Sequence, residues 1–169
     1  MVASSPALTA RVMVETLKRC GVTHLVWLPD TESGFLYQTL NDDPDIELVP
    51  VAREGETFAI ALGLLVGGKK PVVCIQSTGL FESGDSVRGL WLDMKLPLLA
   101  LVGYRGYEGG GPSKDSAATY LEPILKAWGI PYEIVRNDQD VEQVVPRLYK
   151  QATEGPQPSA VLIGGEYSG

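Results

Sequence analysis

Apolar segments separated by stretches of helical periodicity constrain the fold of this chain more than any other feature. Each apolar segment is short and largely continuous, as in strands that are buried on both faces. Such strands, alternating with helices, are typical of a parallel sheet with a layer of helices on either side. They lie at residues 24–28, 46–51, 72–75, 96–102, 132–135 and 160–163. The pattern predicts an α/β fold: a single domain over residues 1–169, with a six-stranded parallel sheet and helices on both faces.

Helices are predicted between these strands. The first has Ser5 as its N-cap, Pro6 at its first helical position and Gly21 after its end. Residues 54–66 are apolar on nearly every side after an acidic first turn, which predicts a central helix rather than a superficial one. Residues 76–79 are predicted as a loop. The remaining predicted helices cover residues 34–41, 85–93, 120–128 and 141–153.

Composition and charge exclude several classes of function. The formal net charge of −7 argues against nucleic acid as a partner, because phosphate binding needs clustered Lys and Arg. No run of 18 apolar residues exists, so no membrane span is predicted. His24 is the only histidine, and Cys20 and Cys74 lack metal-ligand spacing, so we expect no metal site and no histidine-dependent triad. The amino-terminal segment lacks the features of a secretory signal, which favours a cytoplasmic protein.

Polar residues follow four of the predicted strands. In open parallel sheets, ligands bind beyond the carboxyl ends of the strands, and right-handed crossovers bring those ends to one edge. The loops concerned cover residues 29–31, 53–56, 76–79 and 103–106. We therefore expect the ligand site at this edge.

Glu54 is the main candidate for chemistry at that edge. It stands where a strand passes into an apolar helix, a place where a carboxylate is poorly solvated. A simpler interpretation is that both Glu54 and Glu56 complement the helix dipole, as acidic residues in a first turn commonly do. Position alone does not decide between the two glutamates.

The glycine-rich segment 103–116 allows two interpretations. It contains neither a GxGxxG between a strand and a helix nor a GxxxxGK[ST], so neither common phosphate-loop pattern is present. Gly109 and the residues to Pro112 are predicted to form a mobile segment, or a lid. Arg88, Arg105 and Lys114 are cations that either hold an anionic substrate group or lie solvated at the surface. Arg105 is the strongest candidate of the three.

The chain resembles the pyrimidine-binding domain of thiamine-diphosphate enzymes. Glu54, followed by an alanine-rich helix with Gly63, matches that family's pattern. A narrower similarity is to phosphonopyruvate decarboxylases and the alpha subunit of sulfopyruvate decarboxylases, and it runs over essentially the whole chain. The segments that carry this similarity are Glu-Gly-Glu at 54–56, Gly-Lys-Lys-Pro-Val-Val at 68–73, Gln-Ser-Thr-Gly-Leu at 76–80, Tyr-Arg-Gly at 104–106 and Trp-Gly-Ile-Pro-Tyr at 128–132.

The resemblance implies that Glu54 is the catalytic residue. Its carboxylate would hydrogen-bond the pyrimidine ring of thiamine diphosphate and so activate the cofactor for decarboxylation of a 2-oxoacid, while Glu56 only complements the helix dipole. The further cofactor contacts that we predict are Pro29, Thr78 and Gly79. The predicted substrate contacts are Asp30, Thr31, Ser77, Arg105 and Lys114.

The half of the cofactor site that holds the diphosphate is missing from this sequence. In enzymes of this family a magnesium ion binds the diphosphate, held by a Gly-Asp-Gly motif and a later asparagine, and no Gly-Asp-Gly occurs here. The resemblance therefore implies a separate diphosphate-binding beta subunit that carries the Mg²⁺. The expected assembly is a hetero-oligomer, at least α2β2.

Two departures from the family pattern concern the substrate. Ser77 or Thr78 stands where the asparagine of the third loop is expected, and residues 81–83 form an insertion after it. The family's Asp-Glu-Pro-Gln-His segment is replaced by residues 115–119, which lack the histidine. Sulfopyruvate, phosphonopyruvate and other small anionic 2-oxoacids all remain open as substrates, as do two alternatives to decarboxylation: carboligation, and a non-catalytic scaffold subunit.

Overall fold

A six-stranded, all-parallel sheet forms the centre of the computed structural model, as the sequence predicts. The structure describes residues 8–109, 113–164 and 167–168. In spatial order the strands run β3-β2-β4-β5-β7-β6. Their bounds are β2 His24–Trp27, β3 Glu47–Pro50, β4 Pro71–Gln76, β5 Leu99–Gly103, β6 Tyr132–Val135 and β7 Ser159–Ile163. Two short segments, β1 (Leu8–Thr9) and β8 (Tyr167–Ser168), form a separate parallel pair.

Helices cover both faces of this sheet, again as predicted. The helices are α1 Ala10–Arg19, a 3-10 turn Gly34–Leu36 leading into α2 Tyr37–Asn41, α3 Glu54–Val66, α4 Ser77–Glu82, α5 Gly84–Ser86 leading into a π-helix Val87–Asp93, α6 Ser116–Ala127 and α7 Asp138–Glu154. Among the described residues, no helix is long and apolar enough to cross a bilayer.

Alternate side chains of each strand build two hydrophobic cores. In β5, Leu99 and Leu101 point to the core that α1, α2 and α7 cover. Ala100 and Val102 point to the opposite core, beneath α3, the π-helix and α6. Successive side chains of a strand face opposite sides of its sheet. Both sides of this sheet are buried beneath helices, which explains why the strands are almost entirely apolar.

The first helix starts later than predicted. Ser5 and Pro6, the expected cap and first turn, lie outside the described residues, but Leu8 and Thr9 are extended, so a helix running from residue 6 is wrong. Thr9 is the N-cap instead, and its hydroxyl oxygen accepts a hydrogen bond from Val12 N–H. A threonine is an equally good cap, and local sequence did not separate the two candidates. The predicted mobile segment also falls partly outside the described residues, at 110–112.

Residues 76–79 were predicted as a loop, and this prediction is wrong. The chain turns directly from β4 into α4, which begins at Ser77. Serine, threonine and glycine favour turns in isolation, but helix propensity is a weak preference that tertiary packing overrides. Leu80 is fully buried in the core under α3, so its packing fixes the helix.

The prediction that residues 54–66 form a central helix is also wrong for the single chain. Phe58 and Ala61 are fully buried, and the Phe58 ring packs against Trp91 with centroids 5.2 Å apart. On the opposite side of α3, Ala59, Gly63 and Val66 are exposed, and Val66 exposes 82% of its surface. The helix is apolar all round, yet within the part of the chain that the structure describes only one of its sides is covered.

The strand order creates a crevice between β2 and β4. The connection after β2 leads to α2 on one face of the sheet, and the connection after β4 leads to α4 on the other. Neighbouring loops that part in this way open a ligand-sized gap at the carboxyl edge of a parallel sheet.

Candidate active site

The four loops predicted to form the ligand edge do lie on one edge of the sheet. They follow β3, β2, β4 and β5, which are consecutive neighbours in the observed strand order. All six strands run in the same direction, so every one of these loops leaves from a carboxyl end. The site residues proposed from these four segments are thereby brought to a single edge, and Lys114 is the one proposed residue outside them.

Glu54 is the first residue of α3, and its half-buried side chain lies against α4. A Cβ placed on Gly79 would be 2.3 Å from Glu54 Cγ and 2.8 Å from its Oε1. Real side chains do not tolerate such distances, so position 79 has to be glycine for Glu54 to occupy this place. Two residues predicted to act on the cofactor, Glu54 and Gly79, are therefore in direct contact.

Glu56 caps the helix that Glu54 begins. Its Oε2 accepts hydrogen bonds from the backbone N–H groups of Ala52, at 3.2 Å, and Arg53, at 3.3 Å. This is the returning half of a capping box, in which an acidic side chain satisfies amides at the helix start. The structure agrees with the interpretation that assigns Glu56 a local role at the helix start.

Thr78 and Ser77, which were predicted to lie in the third loop, are in the first turn of α4. Thr78 is exposed, and its hydroxyl donates to Gln76 Oε1 at 2.7 Å. Ser77 is fully buried, and its Oγ is the one buried side-chain polar atom without a hydrogen-bond partner among the described residues. Buried hydroxyl groups are normally hydrogen-bonded, so this unpaired hydroxyl, two residues before Gly79 in α4, is an unusual feature.

The loop after β2 is organised by Asp30. Its Oδ1 accepts from the N–H groups of Glu32, at 2.7 Å, and Ser33, at 2.9 Å, while its Oδ2 accepts from the Ser33 hydroxyl at 2.6 Å. Ser33 Oγ in turn accepts from the indole N–H of Trp27 at 2.7 Å. These contacts occupy both oxygens of Asp30. Pro29 and Thr31, on either side of it, are exposed at the edge.

Glu32 reaches across the end of β4 to the end of β5. A Cβ on Gly103 would lie 2.6 Å from Glu32 Cβ and 3.7 Å from Asp30 Oδ1. Burial raises the pKa of the Glu32 carboxyl, and the nearby Asp30 charge raises it further, while Arg105 acts in the opposite direction. Sequence reasoning missed Glu32, although its position in a loop after a buried strand was the available signal.

Arg105 stands beyond the end of β5 and pairs with Asp115. Its Nε donates to Asp115 Oδ2 at 2.9 Å, and Asp115 also caps α6 by accepting from Ala117 N–H at 2.9 Å. That backbone hydrogen bond, together with Arg105, holds the pKa of Asp115 below its usual range. Arg105 itself is exposed, as is Lys114. The sequence predicted Arg105 and Lys114 as substrate contacts but gave no role to Asp115, the carboxylate that orients the arginine.

A second polar cluster lies beside this edge, between β5 and α6. Glu122 accepts hydrogen bonds from the hydroxyls of Tyr104, at 2.9 Å, and Tyr132, at 2.6 Å. The Tyr132 hydroxyl is the main reason that the pKa of Glu122 lies below its usual range. A cavity of about 330 Å³ opens next to Glu122 and Tyr107. This cavity does not include Glu54 or Gly79 in its lining.

Arg88 and Cys74 are two further residues with a predicted role. Arg88 forms ion pairs with Asp85, at 2.7 Å, and Asp93, at 3.1 Å. Within the described residues, no three His, Cys, Asp or Glu side chains are grouped as a metal site would require. Cys74 is fully buried, and burial raises the pKa of its thiol, as expected of a structural cysteine.

Comparison with known proteins identifies what this arrangement resembles. The family model described as "Thiamine pyrophosphate enzyme, N-terminal TPP binding domain" matches residues 8–127. Sulfopyruvate decarboxylase subunit alpha of Methanococcus maripaludis is 26% identical over 87% of this chain and 89% of its own length. The protein of the same name from Methanothermobacter thermautotrophicus is also 26% identical, over 89% of this chain and 92% of its own.

Solved structures share the fold at lower identity. Benzoylformate decarboxylase from Polynucleobacter necessarius superposes on 94% of this chain with a TM-score of 0.67 at 18% identity. A putative thiamin diphosphate-dependent enzyme from Mycobacterium smegmatis superposes on 93% with a TM-score of 0.66 at 19% identity. In both cases this chain spans only 30% of the length of the solved chain.

Proposed function

This chain belongs to the family of thiamine pyrophosphate enzymes through their N-terminal TPP-binding domain, and from that premise we propose that it is the pyrimidine-binding alpha subunit of a 2-oxoacid decarboxylase. Two relatives named as alpha subunits of sulfopyruvate decarboxylase support the proposal, because they match over about nine-tenths of their own length. Because the match covers nearly all of each relative, the simplest proposal is that this chain is a subunit of the same kind.

The observation that carries the proposal is the position of Glu54. It begins α3 beside the crevice between β2 and β4, and its carboxylate is half-buried against the Cα of Gly79. A carboxylate held at a rigid helix start, with a glycine leaving room beside it, can make one directed hydrogen bond to a ring nitrogen. Glu56, in the same turn, is committed to the cap.

The residues at the edge fit the aminopyrimidine half of thiamine diphosphate. Glu54 offers an acceptor, the unpaired hydroxyl of Ser77 offers a buried polar group, and Gly79 leaves space close to the backbone. Bound thiamine diphosphate supplies the electron sink for decarboxylation. The role of Glu54 is to hold a proton at the pyrimidine ring nitrogen, and that of Pro29 and Thr78 is to border the ring.

A separate diphosphate-binding subunit completes the proposed enzyme. The relatives carry the designation alpha, which names one subunit of an assembly. The exposed apolar side of α3, at Ala59, Gly63 and Val66, supports an interface there, since such a stripe costs solubility unless it is covered. We propose that Mg²⁺ is bound by the partner, and that the assembly contains at least two copies of each chain.

The proposed substrate is a small anionic 2-oxoacid, with sulfopyruvate as the first candidate. Arg105 is the cation at the edge best placed to hold a sulfonate or phosphonate group, because Asp115 fixes its Nε and so limits its rotamers. Lys114, next in sequence to Asp115, is a second exposed cation. Charge-assisted hydrogen bonds from an oriented guanidinium are among the stronger ways to select an anion.

Calorimetry with thiamine diphosphate and Mg²⁺ tests the cofactor and partner together. We expect binding by this chain mixed with its diphosphate-binding partner and none by this chain alone. The complex should then release carbon dioxide from sulfopyruvate faster than from pyruvate. Binding by neither sample would contradict the proposal, and tight binding by this chain alone would contradict its split site.

Glu54→Gln tests the catalytic residue. The glutamine side chain is nearly isosteric with glutamate, but its amide cannot accept or donate a proton at the pyrimidine ring nitrogen as a carboxylate does. We therefore expect kcat of the complex to fall at least about a hundredfold. Glu56→Gln, in the same helical turn, is the matched control and should retain kcat. Normal turnover by a fully assembled Glu54→Gln complex would remove Glu54 from its proposed role.

A further inference from the structure

A single carboxylate, that of Glu82, binds the residues on both sides of Glu54. Its Oε2 accepts a hydrogen bond from Gly55 N–H at 2.9 Å. Its Oε1 accepts from Arg53 Nε at 3.1 Å and forms an ion pair with Nη2 of the same guanidinium. Glu82 is therefore bound to the residue before Glu54 and to the residue after it.

The same helix also contacts the Glu54 side chain. Gly79 and Glu82 lie three residues apart in α4, on neighbouring positions of one helix face. The Cα of Gly79 lies against the Glu54 side chain. The Glu82 carboxylate binds the backbone N–H of Gly55 and the side chain of Arg53, the two sequence neighbours of Glu54. Helix α4 thus fixes Glu54 from the side and from the main chain.

Local chemistry explains why Glu82 is bound here. The first amides of α3 have no acceptor within their own helix, and Gly55 N–H takes one from α4 instead. A Cβ on Gly55 would lie 3.3 Å from Glu82 Oε2, so a glycine allows the carboxylate to approach. Arg53 and the Gly55 amide hold the pKa of Glu82 below its usual range, which keeps the acceptor charged.

We propose that Glu82 is a positioning residue for Glu54, acting through Arg53 and Gly55. It sets the direction in which the Glu54 carboxylate leaves the start of α3, and so the hydrogen bond that this carboxylate makes to the pyrimidine ring. The proposal rests on the proposed function of Glu54. It also gives a role to the insertion at residues 81–83, which has no counterpart in the family pattern that the sequence resembles.

The competing explanation is that Glu82 only stabilises the fold. It is a helix-capping acceptor and part of a surface ion pair, and exposed ion pairs contribute little to stability. A stabilising role would lower the thermal midpoint and leave kcat of the folded complex unchanged. A positioning role would leave KM for the 2-oxoacid unchanged and alter kcat and the affinity for the cofactor.

The test uses Glu82→Ala and Glu82→Gln in the complex with the diphosphate-binding partner. A small misplacement of a catalytic group costs much of its rate, so we expect Glu82→Ala to lower kcat about tenfold and raise the Kd for thiamine diphosphate several-fold. Glu82→Gln should recover part of both losses, because its amide oxygen can still accept from Gly55. Asp85→Asn, which breaks the neighbouring ion pair with Arg88, is the matched control and should change neither quantity.

A double-mutant cycle with Glu54→Ala separates the two explanations. If Glu82 acts through Glu54, Glu82→Ala should no longer raise the cofactor Kd once the Glu54 side chain is absent. Equal effects in both backgrounds, or a lowered thermal midpoint with normal kcat, would overturn the positioning role. Failure of the proposed function would look different, because Glu54→Ala by itself would then leave turnover unchanged.

Discussion

Gly79 lies so close to Glu54 that any side chain at position 79 would displace the Glu54 side chain. The nearest Glu54 atoms to a Cβ built there would be Cγ at 2.3 Å, Oε1 at 2.8 Å and Cδ at 2.9 Å. Gly79 is itself buried within α4, so its backbone cannot retreat without moving the helix. Space at the candidate catalytic carboxylate is therefore set by the absence of one side chain.

Gly79→Ala should displace the Glu54 side chain while the helix remains. Alanine favours helix over glycine, so the free energy of unfolding should change little or fall by about 1–2 kcal/mol from the clash. We expect kcat of the complex to decrease much more than this change in stability explains. Gly84→Ala, four residues after Leu80 in the next helix with no atom within 4 Å of its added Cβ, is the control. Equal activity of both variants would refute the steric argument.

Asp30→Ala should destabilise the folded chain. The substitution removes an acceptor of three hydrogen bonds, one of them from the buried Ser33 hydroxyl. With a net value of about 0.5–1.5 kcal/mol for each of the three bonds, we expect the free energy of unfolding to decrease by about 1.5–4.5 kcal/mol. Urea denaturation followed by tryptophan fluorescence measures this change. Thr31→Ala, at the exposed neighbouring position, should have no comparable effect.

The outcome for Asp30 also bears on its predicted contact with substrate. If the Asp30 carboxylate only stabilises the loop after β2, Asp30→Asn should raise KM and lower the free energy of unfolding together. The reason is that a distorted loop also displaces the substrate contacts beside it. A raised KM at unchanged stability would instead support a direct contact. The two results are separable on the same purified complex.

The parts of the fold that the sequence predicted well depend on burial over several residues. Strand β6 and helix α3 have the predicted bounds. Several consecutive apolar residues indicate an element that packs on one or both faces, so no single residue decides where it begins or ends. The start of α1 and the helix α4 were missed because both depend on one or two residues. Thr9 competes with Ser5 as a cap, and Leu80 converts a turn-like sequence into a helix only by its burial in the tertiary structure.

The candidate site divides in the same way. It could be predicted that the four segments and Glu54 lie at one edge, because strand ends fix which residues reach the ligand edge. The contacts of Glu82 could not be predicted, since they join segments far apart in sequence. Glu32 was missed although its loop was predicted, and the pairing of Asp115 with Arg105 depends on how the segment between them folds. Glu82 accepts a hydrogen bond from Gly55, which is 27 residues away in the sequence, and no periodicity in either segment predicts this contact.

Ala59→Glu should block assembly without unfolding the chain. Ala59 lies on the exposed side of α3 with Gly63 and Val66, so a charge there meets only solvent in the single chain. The thermal midpoint of the isolated chain should stay nearly constant, as for most surface substitutions. Its association with the partner should weaken at least about tenfold, equivalent to about 1.4 kcal/mol, as measured by sedimentation.

The control for this prediction is Met94→Glu. Met94 is also apolar and 55% exposed, but it lies after the π-helix rather than on α3. If both variants weaken assembly equally, the effect is one of added negative charge on an acidic chain. If neither does, the apolar side of α3 is not the interface.

Glu32→Gln should make the stability of the chain depend differently on pH. The folded pKa of Glu32 is raised, first by burial and then by Asp30, so in the wild type the folded state keeps this proton after the unfolded chain has lost it. The contribution of Glu32 to stability is therefore fully present below the unfolded pKa, at about pH 4, and is lost as pH rises through the folded pKa. Glutamine carries no charge at any pH, and the variant should gain stability relative to wild type over that interval.

Asp115→Asn gives the matched comparison of opposite sign. The pKa of Asp115 is lowered, first by the Ala117 amide and then by Arg105, so its contribution is present above its unfolded pKa and is lost as pH falls through the folded value. Asparagine can still cap α6, but it loses the ion pair with Arg105. Free energies of unfolding measured from pH 3 to pH 8 should thus diverge from wild type in opposite directions as pH rises. Parallel curves for Glu32→Gln and wild type would show that Glu32 ionises in the folded chain as it does in the unfolded one.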